Sequence, residues 1–280
     1  SCRLVVVAQM PLEVQDSLLT VPAGINGHWV RLVVDTGAER SVVSKALAER
    51  LRLEPDRRYT TSSLGVGGMT TAADVRLDGL VLGGVRFPIG RMAVGGFHLH
   101  TAGGLDADGL LGADVLLGFD MDIDVPGGRL TLYRARHCAD QRPPWADPVE
   151  ITGASVRRDR LLLPVELDGI AGQAFLDTGA QRNVIGGDLA RRLGLTERAM
   201  AADQLVRQRG VGPREVIAHL HRFALLRVGP VAQAAPEITV LSADAGFGDA
   251  LVGEEFLQGR RAWISFRNRR VFVTRRSGER

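Results

Sequence analysis

The sequence has little lysine, little aromatic content and no long apolar run. Lys45 is its only lysine, so almost all of the 35 basic side chains are arginines, and they are scattered among 32 acidic residues. A net charge of +3 that is spread in this way does not form a nucleic-acid-binding surface. No run of 18 apolar residues is present, so the sequence predicts a soluble chain without a transmembrane helix.

Ligands for a metal ion or a phosphate group are also scarce. The two cysteines, Cys2 and Cys138, allow a disulfide bond but do not establish one. The segments His98-Leu99-His100 and His219-Leu220-His221 have the period of a strand, and further ligands are missing nearby, so we expect solvated strand histidines. The "GVGG" segment lies in a predicted hairpin rather than before a helix, which argues against a phosphate-binding loop. The sequence therefore predicts neither a metal nor a cofactor.

What the sequence does contain is a duplication. The tetrapeptide Asp-Thr-Gly-Ala occurs at Asp35–Ala38 and again at Asp177–Ala180, 142 residues later. At this offset, 11 of the 19 positions from Asp35 to Leu53 are identical in the second copy. One four-residue match in a chain of this length has a chance probability of about 1% at average residue frequencies. A duplicated unit built around one aspartate suits a reaction that needs two facing carboxylates.

The repeat continues to the end of each half at an offset of 141, so one residue has been deleted. The segment "DGLLGADVL" matches "DALVGEEFL", and a pair of terminal hairpins follows. With only two copies and a period above 100 residues, this is a tandem duplication rather than a solenoid. We place an N-terminal lobe at residues 1–137 and a C-terminal lobe at 151–280. The proline-rich segment at 138–150 is the predicted linker.

Within each lobe the pattern is mostly that of β-strands. Asn26-Gly27 and Asp168-Gly169 each predict a two-residue hairpin turn, since both residues tolerate positive φ. An apolar strand then leads into each aspartate and ends at Thr-Gly. Ser44 is a candidate N-cap for a helix at Lys45–Leu51, and the second copy repeats this helix before Gly194. All-β lobes with one or two short helices each are therefore predicted.

These motifs carry a family resemblance. The series "VVDTGAERSVV", "LGVGGM" and "GLLGADVL" resembles the retropepsin-like aspartic peptidases, and the two-lobed duplication is similar to the pepsin-like arrangement. The resemblance covers nearly the whole chain, once per lobe. It implies an all-β, bilobal acid-protease fold made of two tandem retropepsin-like β-barrel lobes.

The resemblance also implies the site. In that family each lobe supplies one Asp-Thr-Gly loop to a pair of catalytic aspartates, a glycine-rich hairpin (the flap) covers the substrate, and an apolar-apolar-glycine segment supports the loop. The matching residues of this sequence are the catalytic Asp35 and Asp177; the loop residues Thr36, Gly37, Ala38, Thr178, Gly179 and Ala180; the flap residues Gly65, Val66, Gly67, Gly68, Met69, Gly210, Val211 and Gly212; and the supporting residues Leu111, Gly112, Val252 and Gly253.

The chemistry explains these residue types without the resemblance. Two carboxylates a few ångström apart cannot both ionise at low cost, so they share one proton. The ionised carboxylate can take a proton from a water molecule that attacks the peptide carbonyl, while the protonated one donates to the carbonyl oxygen. We therefore expect an aspartic endopeptidase, and a selective processing enzyme rather than a digestive one. The alternative is a catalytically silent module that binds peptides or proteins in the same cleft.

The expected endopeptidase function also predicts binding partners, and the N-terminal residues predict a location. The substrate is expected to be a peptide or protein in extended conformation that pairs with the flap backbone. Because both aspartates lie in one chain, we expect a monomer. A small residue before Cys2 suits a bacterial lipoprotein cleavage site, which would make Cys2 a lipid anchor and tether a periplasmic or cell-envelope protein to the membrane. An arbitrary start at Ser1 is the alternative, and it leaves the cytoplasm open.

Overall fold

The structure, a computed structural model, describes residues 3–65, 68–95, 107–136, 138, 141–208, 216–241, 247–276 and 279. It is built from β-strands and a few short helices, which form two tandem lobes and a sheet shared by both. Among these residues, no helix approaches the length and apolar content that crossing a bilayer requires.

The N-terminal lobe forms the predicted elements. Asn26 and Gly27 have φ values of 48° and 79°, as a two-residue hairpin turn requires. The Ser44 side chain accepts a hydrogen bond from the Leu47 backbone N–H at 3.0 Å, which caps the helix. The elements are β1 (Arg3–Pro11), β2 (Glu13–Gln15), β3 (Leu18–Ile25), β4 (His28–Val34), β5 (Val42–Ser44), α1 (Lys45–Arg50), β6 (Pro55–Gly65), β7 (Gly68–Arg76), β8 (Leu80–Leu82), β9 (Val85–Phe87), β10 (Arg91–Gly95), β11 (Gly109–Leu111), α2 (Ala113–Leu116), β12 (Asp120–Asp124) and β13 (Arg129–Arg136).

The C-terminal lobe repeats this order. Asp168 and Gly169 turn the equivalent hairpin with φ values of 47° and 82°, and Gly194 ends the helix with φ of 71°. The elements are β14 (Val149–Glu150), β15 (Ser155–Arg157), β16 (Arg160–Leu167), β17 (Ile170–Leu176), β18 (Val184–Ile185), α3 (Gly187–Arg192), β19 (Gln204–Gln208), β20 (Val216–Arg222), β21 (Leu225–Val228), β22 (Val231–Ala234), β23 (Glu237–Val240), β24 (Ala250–Val252), α4 (Glu254–Leu257), β25 (Arg261–Ser265) and β26 (Arg270–Val273).

Each lobe has its own ten-stranded sheet, and the two sheets have the same order. The first runs β6-β7-β10-β5-β11-β4-β3-β8-β9, and the second runs β19-β20-β23-β18-β24-β17-β16-β21-β22, with β2 and β15 pairing off these paths. In each sheet, the strand that leads into the aspartate pairs in parallel with the apolar segment: β4 with β11 and β17 with β24. The last three residues of β4 and β17 and all of β11 and β24 are buried, so the aspartate loops start from the rigid centre of each lobe.

The two lobes share a six-stranded sheet in the order β1-β13-β12-β25-β26-β14. Its two central strands come from different lobes and pair antiparallel, with Asp122 opposite Trp263. The Asp122 carboxylate, which is buried, accepts hydrogen bonds from the guanidinium of Arg261 at 2.8 and 2.7 Å. Val149 and Glu150, the last residues of the predicted linker, form the edge strand β14. Backbone pairing and a buried ion pair therefore join the lobes.

The apolar core is continuous through both lobes and the shared sheet. Two smaller clusters lie apart from it, one in each lobe, and we call them the aspartate-side clusters. They include Val33 and Phe175, two residues before Asp35 and Asp177, so they share a strand face with the aspartates. The clusters consist of Leu18, Val33, Val42, Ala93, Ala107 and Leu110, and of Leu162, Phe175, Val184, Ala218, Leu241, Phe247 and Leu251.

Candidate active site

Asp35 and Asp177 are held in the same way, each in its own loop. The Asp35 backbone N–H donates to the Leu111 carbonyl at 3.0 Å, and the Asp177 N–H donates to the Val252 carbonyl at 2.9 Å. The side chains are held by the residues that follow them. Oδ1 of Asp35 accepts from the Gly37 N–H at 2.9 Å, and Oδ1 of Asp177 accepts from the Gly179 N–H at 3.0 Å. Each carboxylate is therefore fixed in orientation by its own loop.

The two threonines lock the loops to each other. The Thr36 N–H donates to Oγ1 of Thr178 at 3.0 Å, and the Thr178 N–H donates to Oγ1 of Thr36 at 3.1 Å. Each hydroxyl also donates across the interface, Thr36 to the Leu176 carbonyl at 2.6 Å and Thr178 to the Val34 carbonyl at 2.5 Å. Both threonines are fully buried. This reciprocal set of four bonds sets the distance between the two aspartates.

The two glycines let the carboxylates of opposite lobes approach each other. A Cβ atom on Gly37 would lie 2.4 Å from Cγ of Asp177, and a Cβ atom on Gly179 would lie 2.4 Å from Cγ of Asp35. Any side chain at these positions would push the opposite carboxylate away. The same glycines also donate their own N–H groups to the carboxylates of their own loops.

Burial raises the pKa of both aspartates. The pKa of Asp35 lies well above its ordinary value because burial disfavours the charged form, and then because of the negative charge of Asp177 and a hydrogen bond with it. Burial also raises the pKa of Asp177, against which a hydrogen bond with Asp35, backbone N–H groups and the charge of Arg160 act to lower it. The two carboxylates therefore hold one proton over a range of pH.

The predicted supporting segments lie directly behind the loops. The Leu111 and Val252 carbonyls accept the N–H groups of the two aspartates, and the Ala113 N–H donates to the Ala38 carbonyl at 2.9 Å. A Cβ atom on Gly112 would lie 2.6 Å from the Arg40 carbonyl oxygen, and one on Gly253 would lie 2.5 Å from the Ala180 carbonyl oxygen. Both positions therefore need glycine so that the supporting segment can pack against the loop.

Sequence reasoning missed four polar residues that tie these segments together. The Gly112 N–H donates to Ser41 Oγ at 2.9 Å, and the Gly253 N–H donates to Asn183 Oδ1 at 3.0 Å. Asp114 in turn accepts from the Ser41 N–H at 2.7 Å, and Glu255 accepts from the Asn183 N–H at 3.2 Å. Each pair occupies matching positions in the two copies, and a polar residue is kept at each position. The presence of a polar residue at the matching position of both copies was the sequence signal that could have identified these four residues.

The flap of the N-terminal lobe is a hairpin of β6 and β7, in which Gly65 pairs with Gly68. Met69, next to its tip, is 67% exposed. Val66 and Gly67 lie outside the described residues, as do Gly210, Val211 and Gly212 of the second hairpin and the proposed anchor Cys2. Cys138 is disulfide-bonded.

Charged groups tie the first flap to its aspartate loop. Arg40, five residues after Asp35, donates to Thr61 Oγ1 at 2.5 Å and to the Asp74 carboxylate at 3.0 Å. Asp74 is fully buried and also accepts from Arg91 at 3.1 Å. The matching strand register of the second lobe puts Leu220 in place of Asp74. The two flaps are therefore anchored differently.

The prediction of solvated histidines is wrong for His219 and His221, while His98 and His100 lie outside the described residues. Both side chains are mostly covered, and each faces an acid. Nδ1 of His221 lies 2.6 Å from Asp203, and Nε2 of His219 lies 3.7 Å from Glu197. In the part of the chain that the structure describes, no group of three or more metal-ligating side chains comes together.

The comparisons agree with this geometry. A family model described as aspartyl protease matches the chain twice, at residues 21–115 and 163–256, so that each match contains one Asp-Thr-Gly loop. The crystal structure of aspartic proteinase from Irpex lacteus is similar with a TM-score of 0.51 at 14% sequence identity, over 99% of this chain and 98% of that chain. At this identity the likeness concerns the fold, and it extends over both lobes.

Proposed function

Since the chain belongs to the aspartyl protease family, we propose that it is an aspartic endopeptidase whose catalytic residues are Asp35 and Asp177. The family and the fold support a protease-like function in general. The observation that carries the finer proposal is the approach of the two carboxylates across the interface between the lobes, held by the crossed threonine bonds.

In this mechanism the pair of aspartates starts with one shared proton. The ionised carboxylate takes a proton from a water molecule bound between the two, and the water oxygen attacks the peptide carbonyl. The protonated carboxyl group donates its proton to the carbonyl oxygen and so stabilises the tetrahedral intermediate. Collapse of the intermediate then breaks the C–N bond as the leaving nitrogen takes up a proton. No covalent bond to the enzyme forms.

Substrate would bind as an extended strand between the flap and the aspartate-side clusters. The β6–β7 hairpin offers backbone groups for strand addition. The two clusters line the sheet face that carries the aspartates with apolar side chains. These contacts favour a selective processing enzyme with apolar side-chain pockets.

The shared proton predicts a pH optimum. Because burial and the second carboxylate raise the pKa of Asp35, the pair keeps its proton to a higher pH than an isolated aspartate would. Activity should fall at high pH as that proton leaves and at low pH as the second carboxylate becomes protonated. A bell-shaped dependence of kcat/KM on pH is expected.

The test is digestion of a proteome-derived peptide library between about pH 3 and 8, with the products identified by mass spectrometry. Asp35→Asn and Asp177→Asn are measured beside the wild type, and circular dichroism checks that both variants fold. Cleavage by the wild type that disappears in both variants is the expected result. Absence of wild-type cleavage at every pH would overturn the proposal and favour a catalytically silent peptide- or protein-binding module.

We also propose the cell envelope as the location, where Cys2 would serve either as a lipid anchor or as the disulfide partner of Cys138, the only other cysteine of the sequence. A lipidated cysteine thiol cannot form a disulfide bond, and Cys138 is disulfide-bonded. Mass spectrometry of the mature N-terminal peptide after expression of the complete gene separates these uses of Cys2. A lipid-modified peptide supports the anchor, and a free or disulfide-bonded Cys2 contradicts it.

A further inference from the structure

A single arginine stands beside the proposed catalytic pair in the C-terminal lobe. Strands β16 and β17 pair antiparallel, with Leu162 opposite Phe175. Two residues further along this register, Arg160 is opposite Asp177, where the strand has just ended. Since side chains alternate along a strand, Arg160 lies on the same sheet face as Phe175. Its guanidinium carbon lies 4.2 Å from the centre of the Phe175 ring.

The N-terminal lobe has no charge at this position. There Thr20 pairs with Val33, and the same register puts Leu18 opposite Asp35. Leu18 is buried and belongs to the aspartate-side cluster of its lobe. The duplication therefore places a leucine beside one catalytic aspartate and an arginine beside the other.

Arg160 forms no ion pair within the described residues. Its Nε atom is buried and makes no hydrogen bond there. Its charge acts on Asp177, whose pKa it lowers. A buried N–H group without an acceptor costs about 1–3 kcal/mol, so a ligand that supplied an acceptor would relieve this cost.

Building on the proposed endopeptidase function, we propose that Arg160 determines specificity by binding a carboxylate side chain of the peptide substrate next to the scissile bond, on the side that lies against the C-terminal lobe. The ligand class is thus an extended peptide with glutamate or aspartate at this position. A guanidinium that lies over the face of an aromatic ring keeps the N–H groups at its own edge free to bind a carboxylate in a two-pronged manner.

The ion pair should depend on pH through the substrate rather than through Arg160. The ionisable residues on the adjoining elements are Asp177 and Asp35 at the loops, Arg157 opposite Arg160 in the hairpin, and Arg158 and Asp159 in its turn. An ordinary glutamate has a pKa of about 4.3, and a nearby guanidinium lowers it. The preference should be present above that pKa and be lost as the pH falls through it.

The test uses the peptide library in two ways. In the first, cleavage products of the wild type and of Arg160→Leu are compared, the leucine being the residue at the equivalent position of the other lobe. The wild type should prefer acidic residues at one position beside the cleaved bond. Arg160→Leu should lower the ratio of kcat/KM for a glutamate peptide to kcat/KM for the matched glutamine peptide about ten- to a hundredfold, and an effect through the pKa of Asp177 would change both peptides alike and cancel in this ratio.

In the second, the same library is affinity-selected on immobilised Asp35→Asn protein with and without Arg160→Leu, so that the result does not depend on cleavage. Acidic peptides should be enriched only when Arg160 is present, and less so at pH 3.5 than at pH 6. Arg157→Leu removes an exposed charge from the same hairpin and is the matched control. Arg160→Lys should restore part of the preference.

The two proposals fail separately. Absence of cleavage by the wild type contradicts the endopeptidase function, while the affinity selection still decides the role of Arg160. Equal enrichment of acidic and amide peptides overturns the Arg160 proposal, as does an acidic preference that survives Arg160→Leu or that Arg157→Leu abolishes equally.

Discussion

A carboxyl group is buried behind the second aspartate loop, and it should make the free energy of unfolding depend on pH. Glu254 follows the supporting Gly253, and its backbone N–H donates to the Ala180 carbonyl at 2.8 Å. It is 1% exposed, and its Oε1 has no hydrogen-bond partner among the described residues. The equivalent residue of the first lobe is Ala113, which makes the same backbone bond without a carboxyl group.

The sign of the effect follows from the pKa of Glu254. Burial raises that pKa, and the charge of Arg276 opposes the increase. A group whose folded-state pKa is raised contributes its full stability below the ordinary pKa of about 4.3. This contribution is lost as the pH rises from there through the raised folded-state pKa. As the pH rises, the wild type should therefore become less stable than a variant whose residue 254 does not titrate.

Glu254→Gln keeps the size of the side chain and removes the titration. We expect equal free energies of unfolding for the two proteins near pH 4, and a variant more stable by about 1–3 kcal/mol near pH 8, the usual cost of an unsatisfied buried polar group. Urea denaturation followed by circular dichroism measures this. Both proteins should carry Asp35→Asn so that self-cleavage cannot interfere.

The neighbouring Glu255 provides the control. Its carboxylate accepts the Asn183 N–H at 3.2 Å, so Glu255→Gln removes the same charge but weakens a bond that orders the loop. It should give no gain in stability at pH 8. A difference in free energy of unfolding between Glu254→Gln and the wild type that is the same at pH 4 and pH 8 would contradict a raised pKa of Glu254. A variant that is the less stable protein at pH 8 would contradict it as well.

Three further predictions concern the pairing of the lobes. Thr36→Val and Thr178→Val each leave buried polar groups without partners, so each should lower the free energy of unfolding by about 2–5 kcal/mol; clearly unequal losses in urea titrations would contradict the symmetry of the lock. Gly37→Ala should lower kcat/KM about a hundredfold or more because the new Cβ displaces the Asp177 carboxylate, whereas Gly90→Ala, whose Cβ would meet nothing closer than 4.0 Å, should be silent; an active Gly37→Ala enzyme would count against the contact. Specific activity should stay constant on dilution from micromolar to nanomolar enzyme, since one chain holds both aspartates; activity that falls with dilution would indicate a dimer.

The local elements were predictable because their signals are local. The hairpin turn at Asn26-Gly27 requires two residues with positive φ, and the sequence offers them at that point. The cap of α1 lies three residues from the N–H that it binds. The identity of the aspartate loops came from the duplication, because a repeated motif points to a repeated role.

The contacts between distant segments were not predictable from one sequence. Arg40 and Asp74 lie 34 residues apart, and nothing in either segment predicts their ion pair. The terminal hairpins were predicted as hairpins, but their pairing across the lobes depends on the orientation of the two lobes. The role of Gly37 against Asp177 belongs to the same class, since the contact exists only once both loops have met.

The two copies of the duplicated unit should differ in sequence at positions where the function requires the two lobes to differ. A peptide is directional and has no twofold symmetry, so a fully symmetric cleft could bind it equally well in either direction. At the lock between the lobes, where no peptide contacts the protein, Thr36 and Thr178 form matching bonds. The lobes differ beside the proposed catalytic pair and at the base of the flap, where Arg160 replaces Leu18 and where Leu220 replaces Asp74. Under the proposed function, these differences lie where one peptide direction must be favoured over the other. Exchanging the two residues by combining Leu18→Arg with Arg160→Leu should therefore move the acidic preference to the opposite side of the cleaved bond.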